Sequence, residues 1–281
     1  MKKTFPREIF QLMLLLLLVT MVGAACAAGQ TPTVLSPQTT PAPAGWWQPV
    51  PGAKWQIQYE GQLELIEDVE VYDLDLFETD ISTIDQLHTQ GAKVICYFSA
   101  GTLEDWAPDF EQFPPKLIGK EYSEWPGETW LDISRLDLLL PVLEARIELC
   151  RQKGFDAIDP DNLDGWQNDT GFDLTRDDAL AFAKSLAVLA HDNGLAVGLK
   201  NNPDLLVSLV DLFDFMVVEE AFEQGWSEEL LPFLTAGKAV FAVEYTRQEA
   251  IQDAACQAEV SQKFSVVFKR KSLDAATRYC H

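Results

Sequence analysis

The chain has 281 residues, 47% of them hydrophobic and 23% charged, which suits one domain of roughly 200–250 residues plus extensions. Lys and Arg number 21 against 44 Asp and Glu, a formal net charge of −23. So few cations cannot neutralise a phosphate backbone, which excludes a nucleic-acid partner and favours a cationic one at long range, within the limits of salt screening.

Residues 1–25 read as an export signal. Lys2, Lys3 and Arg7 form its positive end, and "LMLLLLLVTMVGAA" is an apolar run too short for a comfortable membrane span. Cys26 follows two alanines, as in bacterial lipoprotein signals, where such a cysteine becomes the lipidated N-terminus. Gly23 stands where those signals usually carry Leu, so simple cleavage near Ala25 or Ala27 is the alternative. Residues 26–45 are rich in Pro, Thr and Ala and uncharged, which reads as a flexible tether. The expectation is an exported protein, lipid-anchored to the bacterial cell membrane and otherwise secreted.

From Trp46 to His281 short apolar runs alternate with helical patterns, and no repeat of 20–50 residues stands out. The runs are "WQIQY" (55–59), "VEVYDLDLF" (69–77), "KVICYFSAG" (93–101) and "FDAIDPD" (155–161). They continue with "LAVGLKN" (195–201), "FDFMVVEE" (213–220), "AVFAVEY" (239–245) and "FSVVFKR" (264–270). Helical spacing recurs at 80–91, 135–153, 174–194, 203–212, 227–237 and 247–262. In the third of these, Leu180, Ala183, Leu186, Ala187 and Ala190 repeat at three and four, with Asp177 and Asp178 at the start and Gly194 at the stop. Strand, helix, strand over about 225 residues predicts an α/β single domain, a (β/α)8 TIM barrel. An open doubly wound sheet is the alternative, but neither GxGxxG nor GxxxxGK[ST] occurs.

Cys96 lies in an apolar strand and Cys150 ends an apolar helix, so both read as buried thiols. Cys256 and Cys280 are a pair that an exported protein could bridge. Without CxxC, and with His88 and His191 inside helices and His281 terminal, neither a zinc site nor a Ser-His-Asp triad is expected. No cofactor and no metal are expected.

Polar residues at the C-terminal ends of barrel strands converge on one face. Here those ends carry Tyr59, Asp73 and Asp75, Tyr97 and Ser99, then Asp159, Asp161 and Asn162. Lys200 and Asn201, Glu219 and Glu220, and Glu244 and Tyr245 follow. The long segment 102–134 adds Glu104, Trp106 and Trp130, and Asp164 and Trp166 follow the fourth strand. A loop that long is a lid or a binding wall. Two carboxylates across a cleft with aromatic rings nearby is the arrangement of glycoside hydrolysis. A solvated turn is the plain alternative for "DPDNLD". Asp159 and Asp161 share strand parity, so either is able to face the site, whereas Glu219 and Glu220 have opposite parity. Asp73 and Asp75 read as hydrogen-bonding groups rather than a metal pair, and Lys200, if buried, requires a carboxylate partner.

These segments resemble glycoside hydrolase family 114, the endo-α-1,4-polygalactosaminidase-like barrels. The resemblance runs from about Trp47 to Tyr245 on "VYDLDLFET", "VICYFSAGTLEDWAPD", "WPGETWLDI", "GFDAIDPDNLDGW", "GLAVGLKNN", "FMVVEEAFE" and "GKAVFAVEY". It implies endo-cleavage of α-1,4-linked galactosamine-containing polysaccharide, a cationic amino-sugar polymer where deacetylated. It also implies catalytic carboxylates at Asp161, with Asp159 as rival, and at Glu219. Tyr59, Asp73, Asp75, Tyr97, Ser99 and Glu104 are then substrate-binding candidates, as are Trp106, Trp130, Asn162, Asp164 and Trp166. Lys200, Asn201, Glu244 and Tyr245 complete the set. The family usually carries a cysteine pair after the sixth-strand glutamate; here Ala221 takes the first position and 219–230 contains no Cys. A non-catalytic polysaccharide-binding lipoprotein on the same barrel is the alternative function, and a divalent-metal hydrolase is a third.

Overall fold

The computed structural model describes residues 45–280; the export signal, Cys26 and all of the tether except Gly45 lie outside them. In chain order the elements begin with β1 (Trp55–Gln58), β2 (Val71–Asp75), α1 (Ile81–Thr89) and β3 (Lys93–Ser99). An excursion follows, with β4 (Thr102–Glu104), β5 (Ile118–Glu121) and β6 (Glu128–Leu131), before α2 (Leu136–Lys153) and β7 (Ala157–Asp161). Then come α3 (Arg176–Asp192), β8 (Ala196–Lys200), α4 (Pro203–Leu209) and β9 (Phe215–Glu219). The chain ends with α5 (Leu231–Thr235), β10 (Ala239–Glu244), α6 (Glu249–Gln262) and β11 (Ser265–Phe268).

Eight strands form one parallel sheet in the order β1-β2-β3-β7-β8-β9-β10-β11. Its two outer strands come side by side: the Tyr59 N–H donates to the Leu273 carbonyl at 2.9 Å, and Lys269 Nζ reaches Gln56 Oε1 at 3.2 Å. This is the (β/α)8 architecture expected from the alternation, less two helices. The β1–β2 connection has none, and the segment after β11 folds back instead, pairing Arg278 with Phe268.

Alternation of side chains along parallel strands divides the core. Ile57, Val71, Ile95, Ala157, Val217 and Phe241 fill the lumen, while Tyr72, Val94, Ile158, Val197, Met216 and Val240 pack outward. Trp55, Phe215 and Phe241 floor the lumen with ring centroids 5.2 and 5.7 Å apart. Gly198 makes room for that floor, because a Cβ there would stand 2.5 Å from the Phe215 ring. The inward parity continues up to the strand ends, where apolar residues give way to charged ones.

Cys96 and Cys150 are buried but are not free thiols: they form a disulfide between β3 and α2. Cys96 shares the outward parity of Val94 and Phe98, and α2 covers that face with Cys150 on its buried side. Closing a 54-residue separation favours the folded chain by about 4 kcal/mol in the loop-entropy account. The second disulfide joins Cys256 of α6 to Cys280.

The long third connection is a three-stranded antiparallel sheet in the order β4-β6-β5. Buried Arg146 of α2 ties it to the barrel, donating to both carboxylate oxygens of Asp109 at 2.6 and 2.7 Å and to the Ser99 carbonyl at 2.7 Å. That wall stands over the mouth.

Candidate active site

Seven strand ends meet at the mouth, and Lys200 is its electrostatic centre. Its ammonium lies 3.2 Å from Asp159 Oδ2, 3.3 Å from Asp161 Oδ2 and 5.0 Å from the Tyr97 ring centroid. The lysine side chain is 2% exposed, so two carboxylates supply the partner that burial of a cation demands. The acids differ in depth: the Asp159 side chain is 0% exposed and that of Asp161 is 17% exposed. Burial pushes Asp159 up to about 7 against the pull of Lys200, with Asp161 adding to the rise.

Asp73 lies beside this triad, fully buried, and is pushed well above the carboxylate range by burial and then by Asp159. The Tyr59 hydroxyl donates to it at 3.4 Å, and the Tyr59 ring stacks on Tyr97 at 4.0 Å. Asp73 Oδ2 and Asp159 Oδ1 are buried without hydrogen-bond partners. Groups of that kind are unusual and call for an occupant or a proton.

Glu219 stands at the end of β9, half-buried, and accepts hydrogen bonds from Tyr245 Oη and, at 3.3 Å, from Asn201 Nδ2. Its own N–H donates to Asn201 Oδ1 at 2.8 Å, so one amide holds both backbone and side chain. Glu220 turns away at φ +55° and meets Lys271 at 3.4 Å. Asp161 and Glu219 are the carboxylates of β7 and β9 that remain open at the mouth.

Asn162 adopts φ +62° and donates from Nδ2 to Ser99 Oγ at 3.0 Å and Thr102 Oγ1 at 3.1 Å. Thr102 donates to Glu128 Oε2 at 2.5 Å. Gly101 passes so close that a Cβ would overlap the Asn162 carbonyl. Glu104 pairs across β4 and β6 with Glu128, and burial followed by that neighbour pushes it up to about 8.

Several expected ligands are placed otherwise. Asp75 caps the next turn, accepting the Phe77 and Glu78 N–H groups at 2.7 and 2.8 Å, so it forms no pair with Asp73. Glu244 has the outward parity of Val240 and Ala242 and accepts the Phe222 and Glu223 N–H groups at 2.8 and 3.2 Å. It thereby holds the loop after β9, where the resemblance implied a cysteine clip. Ser99 and Trp130 are buried in the scaffold, the latter against Tyr122 at 4.5 Å. Asp164 accepts Asn168 Nδ2 at 3.3 Å, and Trp166 is half-buried against the core. Trp106 alone of the three tryptophans singled out is open, at 49% exposure, edge-on to Phe77. Glu128 lies inside the motif "WPGETWLDI", but it comes opposite Glu104 only through the antiparallel pairing of β4 with β6, which local pattern does not carry. Among the described residues no group of three or more His, Cys, Asp or Glu has the arrangement of a metal site.

The family profile of glycoside-hydrolase family GH114 matches residues 36–281. The crystal structure of Aspergillus fumigatus Ega3 in complex with galactosamine is similar at 37% identity and TM-score 0.80, covering 85% of this chain and 99% of that one. The glycoside hydrolase domain of PelA from Pseudomonas aeruginosa is similar at 16% identity and TM-score 0.63, covering 80% and 98%, a likeness of fold alone. No curated protein sequence matches the chain.

Proposed function

The chain belongs to glycoside-hydrolase family GH114, and from that membership we propose that it is an endo-acting hydrolase of α-1,4-linked, galactosamine-containing polysaccharide. The observation that carries the reading is the pair of open carboxylates, Asp161 on β7 and Glu219 on β9, beside a single lysine that is itself paired with Asp159 and Asp161. An amine-bearing sugar is the ligand such a mouth favours. The galactosamine bound in the Ega3 crystal structure supports the same substrate class.

In this mechanism Glu219 protonates the leaving glycosidic oxygen and then serves as base, while Asp161 attacks or stabilises the oxocarbenium-like centre. Lys200 fixes the Asp161 carboxylate from below, and Tyr245 with Asn201 aims Glu219. Asp159 acts through Lys200 from beneath, out of substrate reach. Trp106 is the open ring left for a sugar face, since the Tyr59 and Tyr97 rings are stacked on each other.

The test is incubation with defined α-1,4-galactosamine oligomers followed by mass spectrometry of the products. Shorter oligomers are expected from the wild type and none from Asp161→Asn. Tight binding without cleavage would make the protein a polysaccharide-binding module instead.

Export and lipidation at Cys26 belong to the same proposal. The signal-like N-terminus supports it, as do two disulfides, which suit an oxidising compartment. Incorporation of a labelled fatty acid that is lost in Cys26→Ala is the expected outcome; an unlabelled mature chain would sink it.

A further inference from the structure

A cavity of about 810 Å³ opens on the rim beyond Tyr245, walled by the turns after β10 and β11 and by the start of α6. Its charge is opposite to that of the mouth. Arg247, Lys269, Arg270, Lys271 and Arg278 line it, five of the 21 basic residues of a chain with net charge −23. Two carboxylates, Glu220 and Glu223, share the wall.

Three of these five cations already have partners. Arg270 is paired with Asp274 at 2.7 Å and Lys271 with Glu220 at 3.4 Å. Lys269 points inward to Gln56, Thr277 and the Asp274 carbonyl. Arg247 and Arg278 have no carboxylate partner among the described residues, and the Arg278 guanidinium rests 4.4 Å from the Phe268 ring centroid. The first turn of the 14-residue helix α6 meets the same wall with no side chain capping its N–H groups. β10 and β11 are the seventh and eighth strands of the barrel. In barrels of this class the loops after those two strands, with a helix N-terminus, are a recurrent place for an anion.

The backbone that carries Arg278 is held in place before any ligand arrives. Arg278 is fixed by paired backbone bonds with Phe268 at 2.9 and 3.0 Å, Tyr279 Oη donates to the Trp55 carbonyl at 3.0 Å, and the next residue is disulfide-bonded to α6. Tyr245 belongs both to this cavity and, through its hydroxyl, to Glu219. The Tyr245 ring therefore stands between the cavity and Glu219, which puts the cavity within reach of a neighbouring unit of a polymer bound in the mouth.

Resting on the hydrolase reading above, we propose that this cavity is a subsite for an acidic sugar, a unit bearing a carboxylate or phosphate ester held by Arg247, Arg278 and the α6 N-terminus. The preferred substrate is then a polymer of mixed charge, with amino sugars in the acidic mouth and an oxyanion beside them. Bidentate arginine–oxyanion pairing supplies the recognition.

The test compares three oligomers of equal length: all galactosamine, one with a galacturonate unit, and one with a phosphate ester. Wild-type enzyme is expected to show a lower KM for at least one acidic oligomer, and the better one identifies the oxyanion. Arg247→Gln/Arg278→Gln, both exposed and outside the catalytic constellation, is expected to raise that KM about tenfold, leaving kcat and cleavage of the plain oligomer unchanged. Calorimetric titration with galacturonic acid and with inorganic phosphate gives a readout independent of turnover, and the variant is expected to lose that binding. Identical KM values for all three oligomers in wild type and variant, or anion binding that survives both substitutions, would overturn the subsite. Failure of wild-type enzyme to cleave any oligomer would instead count against the hydrolase reading, with the titrations still deciding the cavity.

Discussion

Tyr245, one residue past β10, hydrogen-bonds the carboxylate of Glu219 at the end of β9. The two strands are neighbours in register, Val243 beside Glu219, so the tyrosine ring leans over the acid from the adjacent strand. A hydrogen bond to an ionisable carboxyl is worth about 1.5–3 kcal/mol. Tyr245→Phe keeps the ring and removes the bond. The expected result is a kcat about 10- to 100-fold lower on galactosamine oligomers with KM little changed, because the ring contact survives. Unchanged kcat would remove Tyr245 from the positioning of Glu219.

The depth difference between Asp159 and Asp161 separates two roles that strand parity leaves equal. Asp161→Asn should lose about 10³-fold or more in kcat while melting as wild type does. Asp159→Asn should leave KM unchanged and lower kcat less, since its side chain is 0% exposed and hydrogen-bonds only Lys200. Steady-state kinetics with circular dichroism melting reads both. Loss of activity in Asp159→Asn beside an active Asp161→Asn would exchange the assignments.

Lys200→Met leaves two carboxylates facing each other without their cation, one fully buried. Breaking a buried pair from one side costs about 3–5 kcal/mol. The deficit should shrink on acidification to pH 5, since protonation of Asp159 relieves the unpaired charge and burial already pushes that group upward. Urea denaturation at pH 5 and pH 8 measures the difference; an equal loss at both values would count against the charge account.

Much of this site is legible in the sequence because parallel strands alternate and barrel strand ends converge, which brings Asp73, Tyr97, Asp161, Lys200 and Glu219 together. Glu244 is the instructive miss. Phe241 and Val243 face the lumen, so the next residue faces outward, a deduction available from alternation alone. Asp75 has the inward parity, and only the turn after it, which offers two N–H groups, draws its carboxylate aside. The Cys96–Cys150 bridge depends on which helix covers β3, a tertiary fact that local pattern does not carry. Arg247 and Arg278 line one cavity because the segment after β11 returns to the barrel where a helix is the simpler expectation.

Stability should peak in mild acid. Glu104 is raised to about 8 by burial and then by Glu128, and Glu244 to about 7 by burial against two backbone N–H donors. A carboxyl raised in the folded state stabilises it while protonated; that contribution is complete below about pH 4 and drains as pH rises through 7 to 8. Glu148 and Asp274 work oppositely, each lowered to about 2 by arginine and neighbouring donors, and lose their contribution as pH falls below about 4. Melting temperature between pH 3 and 9 should therefore be highest near pH 4–5 and fall toward 8. Glu104→Gln should flatten the fall; a melting temperature that climbs from pH 5 to 8 contradicts the account.

Gly101 is where the wall segment presses on the β7 loop. Its N–H donates to the Asp161 carbonyl at 3.1 Å, and a Cβ would overlap the Asn162 carbonyl, which is backbone and has no rotamer to yield. Gly101→Ala must therefore push the 161–162 backbone, an overpacking cost of about 1–3 kcal/mol. Displacing a reacting carboxylate by about an ångström costs on the order of 10²-fold in rate. Gly165→Ala in the same loop is the control, since its Cβ would meet neighbours at 3.5 Å, ordinary van der Waals contact. The expected outcome is a folded Gly101→Ala enzyme with kcat about 10²-fold lower, and a Gly165→Ala enzyme within about twofold of wild type. Equal activity in the two variants would mean that the 161–162 backbone yields to the wall without moving the Asp161 carboxylate.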